Sequence, residues 1–269
     1  MRKSLLSLAV LSTLTVPALS FADEVAAPVV APAVEAAPAS PIAYNVGLYS
    51  QYIFRGLTQT ANKPAIQGGV DYTNASGFYL GTWASNVSWL EDSALGGNTL
   101  GYKNSSLELD LYGGYRGAVK DVAYDVGLLQ YVYPGTPNAS GVRAETTEVY
   151  GALTYKWVTA KLSVAVSDKV FANVNASGTY YADITANYPV TDTITATVHV
   201  GRQEYSGSNN DNFSYTDWKI GASKAFASGV TVGAYYTDTN ANVLGYGPGV
   251  YAGGNIADAQ GTIYVQKTF

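Results

Sequence analysis

The strongest constraint in the sequence is a strict two-residue alternation of apolar and polar side chains. In the segment Ser106–Arg116, Leu109 and Leu111 alternate with Glu108 and Asp110. Successive side chains of a β-strand point to opposite faces, so this segment forms a strand with one apolar and one charged face. Such strands fit a barrel or sandwich in which the two faces meet different surroundings.

The same alternation recurs in twelve segments, each close to the ~9–11 residues that a tilted strand needs to cross a bilayer. These segments are Tyr44–Arg55, Ala65–Thr73, Phe78–Asn86, Ser106–Arg116, Val122–Tyr133, Thr146–Lys156, Thr159–Asp168, Thr179–Tyr188, Thr193–Gln203, Tyr215–Phe226, Val230–Asp238 and Gln260–Phe269. Tight turns alternate with longer loops between them, as in outer-membrane barrels. The long loops Leu90–Tyr102 and Asn240–Asp258 are predicted to be mobile, to fold inward or to serve in recognition.

Aromatic residues on the apolar face collect near the short turns. They are Tyr44, Tyr72, Phe78, Tyr115, Tyr124, Tyr155, Tyr188, Phe226 and Phe269. Rings at one depth form the girdle typical of a membrane interface, whereas a soluble β-sandwich would distribute them through its core. A closed barrel also pairs every backbone N–H and C=O group of its strands, and unpaired groups would be too costly within the hydrocarbon of a bilayer. We therefore predict an all-β fold: a closed antiparallel transmembrane β-barrel of about twelve strands, with short periplasmic turns and longer extracellular loops.

The N-terminus differs in composition from the rest of the chain. Residues 1–22 combine basic Arg2 and Lys3, an apolar run and small residues before Asp23, which is the pattern of a secretory signal peptide. Residues 23–42 are rich in Ala and Pro and are predicted to form a flexible tether. Residues 43–269 are predicted to form the barrel, in the outer membrane of a Gram-negative bacterium.

Composition excludes several function classes. Residues 23–269 carry 13 basic and 20 acidic side chains, and a net charge of 13 − 20 = −7 argues against a nucleic-acid partner. The chain has no Cys and a single His, His199, so thiol chemistry and the usual His-rich zinc sites are excluded. No cofactor and no metal site are predicted.

The polar face of the strands should line the lumen, and its charged residues are the candidates for ion selectivity. They are Arg55, Asp71, Glu108, Asp110, Asp125, Glu148, Lys161, Asp183, His199, Asp217 and Lys219. Glu108 and Asp110 lie about 7 Å apart on one face, from ~3.4 Å of rise per residue.

These charges predict an asymmetric lumen. With Asp125 and Glu148, the two acids would form an arc that faces Lys219 and Arg55 on the opposite wall. The electric field between these two walls would determine whether cations or anions pass more easily. A salt-bridged or solvated wall is the alternative, and paired-carboxylate hydrolysis is a third interpretation.

The single histidine and the inward tyrosines each allow two interpretations. His199 could simply line the lumen, or it could act as the base of a hydrolase with Asp183, Asp217, Lys219 or Ser163 as partners. The inward tyrosines should pack over glycines of neighbouring strands, or they could offer sugars a stacking track. These tyrosines are Tyr49, Tyr112, Tyr150, Tyr181, Tyr235 and Tyr264.

Several segments resemble the TorF family, whose members are classed as porins of the outer membrane. They include Tyr52-Ile53-Phe54-Arg55-Gly56, Lys63-Pro64-Ala65-Ile66-Gln67-Gly68-Gly69, Gly81-Thr82-Trp83-Ala84-Ser85-Asn86, Glu108-Leu109-Asp110-Leu111-Tyr112 and Thr147-Glu148-Val149-Tyr150-Gly151. The resemblance implies an outer-membrane barrel and brings neither a substrate nor catalytic residues. The terminal Phe269, with Val265 and Ile263, also looks like the strand that barrel-assembly machinery recognises.

Taken together, the residues predict a porin-like channel for passive diffusion of small polar solutes or ions, with a weak cation preference, and not an enzyme. The expected partners are outer-membrane lipid, small solutes and, through Phe269, the barrel-assembly machinery. Two alternatives stay open at this point. One is a membrane-embedded hydrolase that uses His199, and the other is a closed structural or adhesion barrel that acts through its loops.

Overall fold

The structure is a computed structural model that describes residues 40–95 and 101–269, so the predicted signal peptide and nearly all of the predicted tether lie outside the described residues. The strands are β1 (Ile42–Tyr49), β2 (Ile53–Phe54), β3 (Leu57–Thr58), β4 (Ala65–Thr73), β5 (Phe78–Asn86), β6 (Tyr102–Asn104), β7 (Leu107–Val119), β8 (Val122–Val132), β9 (Thr136–Pro137), β10 (Thr146–Tyr155), β11 (Val158–Ala165), β12 (Tyr180–Pro189), β13 (Ile194–Glu204), β14 (Tyr215–Ala225), β15 (Val230–Thr239) and β16 (Gln260–Thr268). Two short helices, α1 (Trp89–Leu95) and α2 (Val243–Tyr246), and a 3-10 turn at Asp211–Phe213 lie in the loops. None of the described helices is long and apolar enough to span a membrane.

Twelve of these strands close into one antiparallel barrel. Their order is β1-β16-β15-β14-β13-β12-β11-β10-β8-β7-β5-β4, and β1 pairs with β4 to complete the ring. Each barrel strand overlaps one of the twelve predicted segments. The predicted fold class is therefore confirmed: the protein is a closed twelve-stranded transmembrane β-barrel.

The two faces of the wall have opposite character. On β7 the Leu111 side chain is 46% exposed on the outer surface, whereas its neighbour Asp110 is 0% exposed in the interior. The aromatic residues near the short turns also lie outside, where the rings of Phe78 and Tyr115 are 5.0 Å apart. An apolar exterior around a polar interior is the arrangement of a barrel that is surrounded by lipid.

The first strand is shorter than predicted. Tyr44–Arg55 is not one strand, because β1 ends at Tyr49 and the chain then leaves the wall. β2 and β3 form a hairpin, in which Ile53 pairs with Thr58. Its two turn residues have positive φ, 48° at Arg55 and 80° at Gly56, which is the geometry that two-residue hairpin turns prefer. We call residues 53–58 the lumen hairpin.

The described parts of the two long loops are packed rather than extended into solvent. In the first, α1 buries Leu90, and Tyr102 is fully buried in β6. In the second, α2 buries Tyr246, while Tyr251 and Ile256 are also buried. The described residues of these loops therefore belong to the packed part of the molecule.

A charge on the outer face should be tolerated only near its edges. We expect Ile184→Lys, halfway along β12, to lower the free energy of unfolding in lipid vesicles by ~2–4 kcal/mol, because the ammonium would sit in hydrocarbon. The control Val190→Lys, at the short-turn end of the same face, should cost ~0–1 kcal/mol. Urea unfolding measured by tryptophan fluorescence compares them, and equal losses would contradict the transmembrane placement.

Candidate functional site

All eleven predicted lumen residues lie inside the barrel. Ten are buried, and Lys161 on β11 is partly buried. Arg55 differs from the others because it belongs to the lumen hairpin and not to the wall. Their predicted role in ion selectivity stays a prediction.

Arg55 is the centre of the polar contacts between the lumen hairpin and the wall. Its Nη1 and Nη2 atoms donate to the two carboxylate oxygens of Glu148 on β10, at 3.0 and 2.8 Å. Nη1 also donates to Gln203 on β13 at 2.9 Å. The Tyr131 hydroxyl donates to the same carboxylate at 3.2 Å, and the guanidinium lies 4.4 Å from the Tyr181 ring centroid. Two parallel bonds to one carboxylate are the strongest geometry that arginine offers.

This contact corrects one prediction. Arg55 was expected on the first strand, across the lumen from the acidic arc, but it lies against Glu148 within that arc. The strand alternation continues through Tyr52–Arg55, so nothing in the pattern indicates that the chain has left the wall. Arg55 therefore forms a direct ion pair with one acid of the arc and does not stand opposite the arc as a separate positive charge.

The tip of the lumen hairpin fits closely against the far wall. A Cβ at Gly56 would lie 2.5 Å from Thr239 Cγ2 on β15 and 2.7 Å from Asp217 Cβ on β14. With φ at 80°, only glycine suits this position. The hairpin therefore starts beside β1 and reaches across to β10, β13, β14 and β15.

Backbone hydrogen bonds tie the lumen hairpin and the residue after it to two outer loops. The Thr58 N–H donates to the Ile256 carbonyl at 2.9 Å, and the Ser88 N–H donates to the Gln59 carbonyl at 2.8 Å. A shift of the hairpin would therefore also disturb both loops.

The acidic pair on β7 is the most strongly desolvated part of the lumen. The Tyr52 hydroxyl donates to Glu108 at 2.7 Å. Both carboxylate oxygens of Asp110 are buried and have no hydrogen-bond partner among the described residues. A buried carboxylate without a hydrogen-bond partner is costly in its charged form, so a cation close to Asp110 would be strongly favoured.

A second ion pair, which the sequence reasoning missed, crosses β7 and β8. Arg116 Nε donates to Asp125 at 2.9 Å, and the Tyr79 hydroxyl donates to the other carboxylate oxygen at 2.6 Å. The Arg116 guanidinium also lies 3.9 Å from the Tyr79 ring centroid. Arg116 shares its strand face with Glu108 and Asp110, so the alternation alone could have identified it.

His199 lies in a third buried network. Its Nε2 atom is 2.8 Å from the Tyr181 hydroxyl and 3.3 Å from Asp217, and its Nδ1 atom is 2.6 Å from the Thr185 hydroxyl. Asp183 is 3.9 Å from Nδ1. The structure thus brings together the two predicted acids, with hydroxyl neighbours Thr185 and Tyr181 in place of the expected Ser163.

Inward tyrosines cover glycines of neighbouring strands, as predicted. The ring of Tyr181 occupies the space beside Gly201, and that of Tyr150 the space beside Gly127. In both cases an added Cβ would overlap the ring. These rings fill the lumen, so the stacking track for sugars is not formed by them.

Next to the lumen hairpin, the loops at the long-loop end of the barrel enclose a cavity of about 680 Å³, including its opening to solvent. We call it the outer cavity. Nine of its sixteen lining residues are aromatic, and each of the six connections between barrel strands at this end contributes at least one residue. The rings of Trp89 and Tyr133 meet edge to face at 5.5 Å, as do those of Tyr215 and Tyr246 at 5.3 Å.

None of the described residues that line the outer cavity is acidic or basic. Burial raises the pKa of the Tyr205, Tyr246 and Tyr251 hydroxyls, so these groups stay neutral at physiological pH. The sequence reasoning did not find this cavity. Its residues are scattered over six loops, and the aromatic side chains within Gly- and Asn-rich segments are the only local signal.

The comparisons with known proteins agree with this architecture. A family model described as a bacterial protein of unknown function (Gcw_chp) matches residues 33–269. Among solved structures, the KdgM porin has a TM-score of 0.52 at 8% identity, over 85% of this chain and 98% of that one. An outer membrane channel from Pseudomonas putida F1 has a TM-score of 0.50 at 13% identity, over 89% and 100%. Identities this low show a shared fold, and the search of curated proteins gives no match.

The Arg55–Glu148 pair should contribute strongly to stability. We expect Glu148→Gln to lower the free energy of unfolding by ~3–5 kcal/mol, because the guanidinium loses its buried partner charge. The matched control is Glu204→Gln, since Glu204 pairs with Arg202 at the exposed end of β13 and should cost only ~0–1 kcal/mol. Urea unfolding in detergent compares the two variants, and an equal effect would contradict the buried pair.

Proposed function

The chain belongs to the Gcw_chp family of bacterial proteins of unknown function, and we propose that it is a narrow outer-membrane channel for small polar solutes or ions. An apolar exterior around a charged interior suits a pore in a Gram-negative outer membrane. The fold shared with the KdgM porin supports this class. The narrower TorF assignment rests on the sequence motifs alone.

The observation that carries the proposal is the charged lumen crossed by the lumen hairpin. A barrel with a purely structural role would be as stable, or more so, with an apolar interior, since buried ion pairs rarely repay their desolvation. Here the hairpin is held by polar contacts at Arg55 and by close packing at Gly56. We therefore propose that the hairpin is the constriction that limits passage.

The charge balance of the lumen supports a cation preference. Seven carboxylates and four basic side chains face the described part of the lumen. The acids are Asp71, Glu108, Asp110, Asp125, Glu148, Asp183 and Asp217, and the bases are Arg55, Arg116, Lys161 and Lys219. Arg55 and Arg116 are paired with Glu148 and Asp125. Of the other acids, Asp183 and Asp217 lie beside His199 and Asp71 accepts from Tyr112, so we propose that the adjacent Glu108 and Asp110 on β7 attract cations. Acidic side chains around a pore favour cation passage.

The geometry favours the channel over the hydrolase alternative. The hydroxyl bonded to His199 Nδ1 belongs to Thr185, which is 0% exposed. A nucleophile must come within bonding distance of its substrate, and this one lies beneath other lumen side chains. The arrangement therefore fits a structural role for His199 on the lumen wall.

The C-terminus supports a role in assembly. The Phe269 side chain is exposed on the outer surface, and its N–H donates to the Tyr44 carbonyl at 2.9 Å. We propose that this residue ends the strand that the barrel-assembly machinery binds, and that lipid surrounds the mature barrel.

Single-channel recording in planar bilayers tests the channel. We expect a small conductance for the wild type and a larger one for Gly56→Val, because the new side chain cannot fit against Thr239 and Asp217 and displaces the hairpin. Gly141→Val is the matched control. Gly141 also has positive φ, but a Cβ added there would meet no atom within 4 Å, so the conductance of this variant should equal that of the wild type. Absence of conductance in all three proteins would contradict the channel.

Reversal potentials in a salt gradient test the cation preference. We expect the double variant Glu108→Gln/Asp110→Asn to lower the cation-to-anion permeability ratio, because it removes the desolvated acids. The control Asp121→Asn/Asp192→Asn removes the same charge from two exposed turn residues and should leave the ratio unchanged. An unchanged ratio in the lumen variant would remove the acidic pair from selectivity.

A further inference from the structure

The outer cavity lies against the lumen hairpin and has the properties of a ligand site, a role that the channel proposal does not assign to it. Small-molecule sites are concave and lined mainly by aromatic and apolar side chains with a few polar groups. The cavity meets this description through Phe213, Tyr215 and Tyr246 on one side and Trp89 and Tyr133 on the other.

One polar group in this lining lacks a partner. The indole N–H of Trp89 is buried and makes no hydrogen bond within the described residues. Trp89 itself is 8% exposed, so solvent reaches little of the ring. Leaving a buried donor unpaired costs ~1–3 kcal/mol, and a ligand oxygen would recover this once the Trp89 ring turns its N–H toward the cavity. The site therefore favours a ligand with an oxygen acceptor.

The lining of the outer cavity also disfavours the binding of charged ligands. None of the described lining residues is ionised, and the buried tyrosine hydroxyls stay neutral. A charged solute would lose its hydration without gaining a partner charge, which is strongly unfavourable. The ligand should therefore be uncharged.

The aromatic rings favour a ring-shaped ligand. Trp89 and Tyr133 both line the cavity, and their rings meet edge to face. An aromatic face carries partial negative charge, so it attracts the polarised C–H groups of a saturated ring. The amide side chains of Gln59 and Asn173 add polar groups for hydroxyls.

From these three properties we propose that the outer cavity binds a small neutral sugar, with the Trp89 indole N–H donating to a sugar oxygen. The site lies directly against the constriction. Phe54 and Leu57 of the lumen hairpin line the cavity, and Gln203 lines it while accepting a hydrogen bond from Arg55. A bound sugar would thus contact the hairpin from the outer side.

Binding to the purified mature protein in detergent tests the proposal. Isothermal titration is carried out with glucose and maltose as neutral probes, and with galacturonate as a probe of similar ring size that carries a carboxylate. We expect saturable binding of at least one neutral sugar and weaker binding of galacturonate. No saturable binding of either neutral sugar, or equal binding of galacturonate, would overturn the proposal.

Two variants locate the site. Trp89→Phe keeps an aromatic ring but removes the donor, and it should weaken sugar binding about tenfold, which corresponds to about 1.4 kcal/mol. Ser93→Phe places a ring inside the cavity and should abolish binding while Trp89 stays in place. Trp157→Phe, at an exposed position near a short turn, is the control and should bind like the wild type.

Wild-type affinity in both cavity variants would overturn the assignment. Folding of each variant is checked by the heat-dependent gel shift of the barrel. The titration needs no membrane current, so its failure would leave the channel proposal standing, and absence of conductance would leave the sugar site standing.

Discussion

The demand that every backbone N–H and C=O be paired within hydrocarbon governs the whole molecule. A sheet meets this demand only by closing on itself, as β1 does by pairing with both β4 and β16. Closure then forces each strand to turn one face to lipid and the other to the lumen. The apolar exterior and the aromatic rings at the short turns follow from this single condition. The lumen hairpin is possible only because the interior is polar enough to bind its arginine.

The barrel and most of its lumen could be predicted because both follow from the two-residue period of a strand. Register fixes the face of every residue, so the inward position of Glu108 and Asp110 follows from the alternation without any knowledge of their contacts. Arg116 could have been identified on the same ground. Phe78 and Tyr188 likewise identify the membrane interface from their spacing alone. The local sequence and the fold agree along the wall.

The lumen hairpin and the outer cavity could not be predicted in this way. Tyr52–Arg55 keeps the alternation of β1, so the departure from the wall depends on the turn at Gly56 and on distant partners such as Glu148. The outer cavity depends on six loops meeting in space, and no periodic pattern relates Trp89 to Tyr246. Long-range contacts of this kind are specified by tertiary packing. The proposed constriction and the proposed sugar site both lie in that part of the molecule.

The central claim is that one face of the strands meets lipid while the other is sealed inside the barrel. Quenching by brominated lipids tests it directly through two tryptophans, since Trp218 is 42% exposed on the outer face and Trp83 is 3% exposed in the interior. Two variants, each with the other three tryptophans replaced by phenylalanine, are reconstituted into vesicles of brominated phosphatidylcholine. We expect strong quenching of Trp218 and little quenching of Trp83. Equal quenching of the two, or stronger quenching of Trp83, would contradict it.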